Sequence, residues 1–168
     1  RRCQGNPAFP MEAFFGLLQR YTFGQASLEG FMACLEIWDA LLDIMENMAE
    51  GHSDDVAKQA MEKYKAALGA VVGQLLASSQ FRRNHAMLAA MDEADFASFR
   101  GTCLMVVSKT FSLMPDKLET SLCAEFADAM RALYMLVQDT GAQGAEAAKD
   151  VAFLLPCLAL LVNQDTSG

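Results

Sequence analysis

Basic residues are scarce in this chain, and charge of either sign is thin. Lys and Arg number 13 against 21 Asp and Glu, for a net charge of −8, and charged residues fill only 20% of the 168 positions. Nucleic-acid binding needs a basic footprint, and this composition offers none. An anionic membrane surface is disfavoured on the same ground. A basic protein partner is compatible with the charge without being required by it. Only 4 prolines occur, so long stretches are free to be helical. The 2 histidines, His52 and His85, stand in no metal-binding spacing and read as surface or loop-packing side chains. The most apolar late stretch, Val151–Val162, is too short for a bilayer, which takes about 20 residues. No cleavable signal pattern opens the chain. Insertion into a membrane is therefore not expected.

The 5 cysteines, Cys3, Cys34, Cys103, Cys123 and Cys157, are odd in number and form no C-x-x-C. At least four fall in apolar helical stretches. That is the pattern of reduced, buried thiols in a cytosolic or nuclear compartment rather than of a disulfide scaffold.

What is abundant points to helices packed on helices. Hydrophobic residues make up 53% of the chain, with 11 Met and 11 Phe. A small monomeric domain would carry more surface charge, whereas a slice of a helical solenoid would not, because its ends pack against neighbours. The chain begins Arg1-Arg2-Cys3 and closes on a polar run at 165–168, and so reads as an excerpt from a longer chain or as a mature product.

Six helices are expected. The first runs from Pro10 to about Tyr21 with Phe14, Leu17, Leu18 and Tyr21 on one face. The second opens on the N-cap Ser27 and runs to Met48 or Ala49 before Gly51 stops it. Its apolar residues Phe31, Cys34, Leu35, Trp38, Leu41, Leu42, Met45 and Met48 fall in an arc of roughly 140°. The third starts at Ser53, uses Val56, Ala60, Tyr64, Leu68, Val71, Val72, Leu75 and Leu76, and ends near Ser78 or Phe81. Gly69 and Gly73, one turn apart within it, suggest a close helix approach or weak selection. Residues 80–91 are the least regular segment, with room for a short extra turn. The fourth helix covers Glu93 to about Thr110 behind a capping pair, Asp92 and Asp95. Pro115 turns the chain at Met114. The fifth covers Asp116–Val137 through Leu118, Leu122, Phe126, Met130, Leu133 and Leu136. Gly141 and Gly144 mark a break, and the sixth covers Ala145–Val162, with a kink or local loss of helix expected at Pro156. The short joints group these helices into about three antiparallel pairs, 10–49, 53–112 and 116–163, with 80–91 an irregular connection. Periodicity alone leaves a compact six-helix bundle open beside a solenoid.

Catalytic chemistry has little to build on. No Ser–His–Asp or Cys–His arrangement, no H-E-x-x-H, no phosphate-binding glycine loop and no Glu-x-x-His occurs. Neither a cofactor nor a metal is expected. Asp92, Glu93 and Asp95 read as helix-capping charge. One polar feature stands out. Glu36, Asp39, Asp43 and Glu46 line the arc beside the core stripe of the second helix, where like charges repel by a few tenths of a kcal/mol per pair. A basic partner would relieve that repulsion; a solvated face is the alternative. Arg82 and Arg83 form a small basic spot after Phe81, which either pairs with acids on a neighbouring helix or faces a partner.

The run Phe9-Pro10-Met11-Glu12-Ala13-Phe14-Phe15-Gly16-Leu17-Leu18-Gln19-Arg20-Tyr21-Thr22-Phe23 resembles the helical-repeat body of a nuclear export receptor of the importin-β superfamily. The continuation from Leu28 to Asp43, with its Cys34-Leu35-Glu36-Ile37-Trp38 core, strengthens the resemblance. Gln80-Phe81-Arg82-Arg83-Asn84 and Leu113-Met114-Pro115 extend it. It covers about residues 9–116 and is nearest to the branch that carries profilin–actin. It implies an all-α segment of a right-handed HEAT-type helical-repeat superhelix with no enzymatic activity. It also implies the small GTPase Ran in its GTP form, protein cargo such as profilin–actin, and Phe-Gly nucleoporins as partners, with shuttling between nucleus and cytoplasm. In such receptors the second helix of each pair lines the concave side, which makes Glu36, Asp39, Asp43 and Glu46 candidate contacts. Phe31, Trp38, Tyr64, Phe99 and Phe126 are expected in the core. A full receptor is several times longer, so this chain is expected to be a segment or a truncated relative. The competing readings are a helical-repeat scaffold without transport and, third, a small helical enzyme.

Overall fold

The computed structural model describes residues 10–51, 55–136 and 141–165. Among these residues the chain forms seven helices and no strand: α1 Met11–Phe23, α2 Leu28–Gly51, α3 Asp55–Ser78, α4 Phe81–Leu88, α5 Glu93–Leu113, α6 Pro115–Leu136 and α7 Ala142–Asp165. Cys3, His52 and the Ser53–Asp54 start expected for the third helix lie outside the described residues, as do the side chains of Val56 and Ala60.

The helix starts follow the local chemistry. The Gly30 N–H donates to Ser27 Oγ at 3.1 Å before α2, and the Asp95 N–H donates to Asp92 Oδ1 at 2.8 Å before α5. Each cap satisfies one donor that the first turn would otherwise leave free, worth typically about 1 kcal/mol. Met114 leaves helical geometry at φ −154° and ψ 60°, and Pro115 then opens α6. Pro does no harm there, since the first helical N–H has no partner in any case.

The helices stack in two layers. α1, α3 and α6 lie side by side in one layer, and α2, α5 and α7 in the other. Each layer-one helix also packs on the next long helix in the chain: α1 on α2, α3 on α5, α6 on α7. Ring contacts fix the sense of the first pair. Phe23 meets Phe31 at 5.9 Å and Phe15 meets Trp38 at 5.7 Å between centroids, so α1 and α2 are antiparallel. α2 and α5 run in the same direction, because Phe31 meets Phe99 while Asp43, further along, meets Lys109. This is a HEAT-like stack of antiparallel helix pairs.

The core runs continuously through both layers. Trp38, Leu35, Leu42, Phe99, Val106, Leu75 and Leu154 are fully buried. Burying each such side chain is worth roughly 1.5–3 kcal/mol. Phe31, Trp38 and Phe99 are buried and Tyr64 and Phe126 half-buried against them, as expected of core aromatics. The Trp38 indole N–H donates to Thr22 Oγ1 at 2.9 Å, and that hydroxyl donates to the Leu18 carbonyl at 2.8 Å.

Several expectations need correction. Leu17 and Tyr21 are 58% and 65% exposed, while Phe15, Leu18 and Thr22 are buried. Adjacent Phe14 and Phe15 left the phase of α1 ambiguous in sequence. The stack of Phe15 on Tyr64, at 5.1 Å, and the Trp38 bond to Thr22 set it. On α6, Ala129 is buried and Met130 41% exposed, so at this turn the buried face lies one residue from the expected stripe. Of the glycines one turn apart, only Gly69 has a close neighbour: a β-carbon there would lie 3.4 Å from Met114 Cε, while Gly73 faces open space. The segment 80–91 holds the helix α4, interrupted at Asn84 by φ −138° and ψ 47°. Gly144 lies inside α7, which continues through Pro156 without loss of helix. Cys34, Cys103 and Cys157 are buried, but Cys123 is exposed.

Candidate protein-binding surface

The acidic side of α2 follows from its helical phase. With Trp38, Leu42 and Leu35 pointing into the core, Asp39 and Asp43 fall toward α5 and Glu36 toward solvent. Lys109, one turn before the end of α5, reaches across and pairs with both Asp39 and Asp43. Hydrogen bonding to Asp39 first, then Asp43, holds the Lys109 ammonium above its ordinary pKa of 10.5. Among the described residues, Glu36 and Glu46 form no ion pair. The arc is therefore divided: two acids close the seam between α2 and α5, and two have no ion pair among the described residues.

On the other side of that arc, α2 exposes Ile37 and Ile44, and α1 exposes Leu17 and Tyr21. The opposite end of the stack is similar, with Met130, Tyr134 and Met135 exposed on α6 and Leu155 on α7. Apolar groups at both ends of a two-layer stack are what a helical repeat array presents where neighbouring repeats would pack.

Arg82 and Arg83 are not free. Arg83 Nη1 donates to Glu125 Oε1 of α6 at 2.9 Å, and Arg82 Nη2 lies 3.6 Å from Glu125 Oε2. Gln80 Nε2 donates to the same carboxylate at 3.0 Å. Pairing with an acid on a neighbouring helix, one of the two possibilities left open by sequence, is present. His85 lies beside this group, 3.0 Å from Glu146 of α7.

The residue that anchors α4 is Asp150 of α7, only 1% exposed. Its carboxylate accepts the Phe81 N–H at 2.6 Å and the Arg82 N–H at 3.4 Å, an N-cap supplied from another helix. Burial raises the Asp150 pKa above 3.8, opposed by those two backbone bonds and by the Arg82 charge. Lys149 lies over the rings of Phe81 and Phe96, 5.0 and 5.9 Å from their centroids.

Sequence reasoning did not single out Lys109, Glu125, Asp150 or Arg100, which tie the helices together. Each is an isolated charge whose partner lies 42 to 70 residues away along the chain, or, for Arg100, a backbone carbonyl 52 away. No local spacing signals such pairs. For Asp150 a cue existed, since an acid between Lys149 and Val151 on an otherwise apolar helix face asks for a partner.

A groove of about 720 Å³ opens between the α1–α2 turn, the end of α3, α4 and the start of α5. Phe23, Leu28, Phe31, Met87 and Met91 line it, with Arg83 and Asp95 at its rim. Among the described residues, no group of three His, Cys, Asp or Glu could hold a metal ion, and no helix is long and apolar enough to cross a membrane.

Comparison with known proteins places relatives beside this geometry. The chain is similar to Exportin-6 of Danio rerio, 31% identical over 125 residues, which is 70% of this chain and 11% of that protein. It is 31% identical over 132 residues to Exportin-6-B of Xenopus laevis, 74% of this chain and 12% of that protein. It is 30% identical over 123 residues to Exportin-6 of Homo sapiens, 68% of this chain and 11% of that protein. No family model and no solved structure matches. The chain thus spans 11–12% of the length of these three relatives.

Proposed function

The chain belongs to the exportin-6 family, and on that premise we propose that it is one section of a nuclear export receptor of the importin-β superfamily. The observation that carries this reading is the match to Exportin-6 proteins over 68–74% of the chain. The two-layer stack of helix pairs supports it, because such a stack offers a long surface and no enclosed reaction centre. In this reading the full protein binds cargo together with Ran in its GTP form, crosses the pore on Phe-Gly nucleoporins, and moves between nucleus and cytoplasm. Profilin–actin is the proposed cargo.

The proposed contribution of this section is contact with a protein partner through the layer that contains α2. Glu36 and Glu46 are the acids free to meet a basic partner. Asp39 and Asp43 contribute once Lys109 is displaced. Arg82 and Arg83, already paired with Glu125, are the weaker candidates. Recognition rests on shape and charge, with affinity switched by a second partner.

The test is a pull-down from nuclear extract with the full-length protein, with and without Ran locked in its GTP form. Capture of profilin–actin only with Ran-GTP supports the reading. Capture of a stable partner set indifferent to Ran overturns it and leaves a static helical scaffold.

A further inference from the structure

The two seams between the three helix pairs are held together by different means. The seam between the second and third pairs is bonded through α4 and its N-cap and, in the second layer, between α5 and α7. Asp150 caps α4 from α7, and Arg82, Arg83 and Gln80 converge on Glu125 of α6. His85 meets Glu146, and Arg100 of α5 reaches the Ala152 carbonyl of α7 at 2.8 Å. Arg100 also lies over the Phe153 ring at 5.7 Å, and Lys149 of α7 over Phe96 of α5. The Phe81 bond to Asp150 is buried, where its strength is not shared with water, and the Arg82 bond is part-buried.

The first seam carries polar bonds at two places of a different kind. Gln19 of α1 meets Gln74 of α3 in an exposed contact, and Lys109 meets Asp39 and Asp43. Phe31 against Phe99 and Phe15 against Tyr64 supply the ring contacts. The same seam contains the groove of about 720 Å³, which lies where α2 and α5 begin. Because α2 and α5 run in the same direction, the ionic contact and the groove sit toward opposite ends of one seam, with the Phe31–Phe99 contact near the open end.

We propose that this part of the protein bends at the first seam, between the α1–α2 pair and the rest, with Lys109 as the latch that holds Asp39 and Asp43 against α5. Release of the latch lets α2 swing about the Phe31–Phe99 contact, and the groove supplies the space into which the helix starts move. The second seam does not articulate. The latch is ionic and partly exposed, so salt weakens it, as does any cationic group that takes the two carboxylates from Lys109. The inference goes beyond the transport reading and stands independently of it, since it depends on neither Ran nor cargo.

Hydrogen–deuterium exchange on the full-length protein tests it, because exchange localises opening to particular helices. The Lys109→Gln substitution, and separately a rise from low to high salt, are expected to speed exchange in α1, α2 and the facing part of α5. The size is set by an exposed ion pair, up to about fivefold. α6 and α7 are expected to stay unchanged, and Lys109→Arg to restore protection. The control Glu125→Gln, at the second seam, is expected to leave α1 and α2 unchanged. Equal acceleration across all three pairs in Lys109→Gln would mean one cooperative unit and overturn the proposal. No acceleration in any helix, in the variant or at high salt, would overturn it as well.

Discussion

The guanidinium of Arg100 donates from Nη2 to the carbonyl of Ala152 at 2.8 Å. That carbonyl is the one Pro156, four residues on, leaves without its helical N–H donor. A side chain from α5 thus replaces a main-chain bond that α7 cannot make, and α7 continues through the proline. Arg100 also lies over the rings of Phe96 and Phe153, 5.6 and 5.7 Å from their centroids. Arg100→Ala is therefore expected to destabilise the protein by about 1 kcal/mol, since the bond is exposed and water can take the place of the guanidinium. Pro156→Ala restores the missing N–H, so Arg100→Ala is expected to cost less in that background. Urea unfolding of the two single variants and the double variant checks the coupling, and full additivity would contradict this account.

Trp38 is the only tryptophan, and its buried indole depends on the Thr22 hydroxyl. Thr22→Val keeps the shape and removes the acceptor, so a buried N–H is left unsatisfied at a cost of about 1–3 kcal/mol. Thr22→Ser keeps the oxygen and is expected to recover most of the loss. Tryptophan fluorescence through a denaturant titration reads both variants at the affected site. Equal stability of Thr22→Val and the natural protein would show that the bond contributes nothing.

Asp150 carries a pH signature. Burial holds its folded pKa above 3.8, so the folded state binds the proton more tightly than the unfolded one. The stability linked to this group is fully present below pH 3.8 and is lost as pH rises through the folded pKa. Asp150→Asn keeps an acceptor for the α4 N–H groups and does not ionise. The difference in unfolding free energy between the natural protein and Asp150→Asn is thus expected to shift against the natural protein on going from pH 3.5 to pH 7, roughly the carboxylate range. A pH-independent difference would mean that Asp150 titrates alike in the folded and unfolded states.

What the sequence made legible was whatever depends on neighbours along the chain. The Ser27 and Asp92 caps, the turn at Met114-Pro115 and the apolar stripe of α2 were all readable, because each is written within a few residues. The phase of α1 was not, since both Phe14 and Phe15 are apolar and only Trp38 and Tyr64 decide between them. α4 was legible only as room for a short extra turn, for a related reason. Its mean polarity is high, its Asn84 is not helical, and its cap comes from Asp150, far along the chain. At the candidate surface, the four acids of α2 were visible as a pattern, but their division into paired and unpaired depends on Lys109, which no local spacing connects to them.

The cysteines offer a chemical check on packing. Burial pushes the Cys103 and Cys157 thiols up to about 12, so almost no thiolate is present near neutrality. Cys34 is buried, while Cys123 is exposed on α6. Iodoacetamide at pH 8 is expected to label Cys123 in the native protein and to reach Cys34, Cys103 and Cys157 only after denaturation, as read by peptide mass mapping. Native labelling of Cys103 at a rate near that of Cys123 would mean that the α3–α5–α7 core opens readily.

The division of the acidic arc gives the most discriminating prediction for binding. Glu36→Lys and Glu46→Lys remove acids that have no ion pair among the described residues, so partner capture is expected to fall with little change in stability, since solvated or partly solvated charges without an ion pair contribute little to the fold. Asp39→Lys and Asp43→Lys also strand Lys109 beside a new cation. Those variants are expected to lower capture and stability together, the latter by up to about 1 kcal/mol each. Thermal unfolding alongside the Ran-GTP pull-down separates the two pairs. If all four reversals lower stability and none alters capture, the arc is structural only and the partner contact lies elsewhere on the stack. A loss of capture confined to Glu36 and Glu46 would instead mean that the Lys109 contact stays closed when the partner binds.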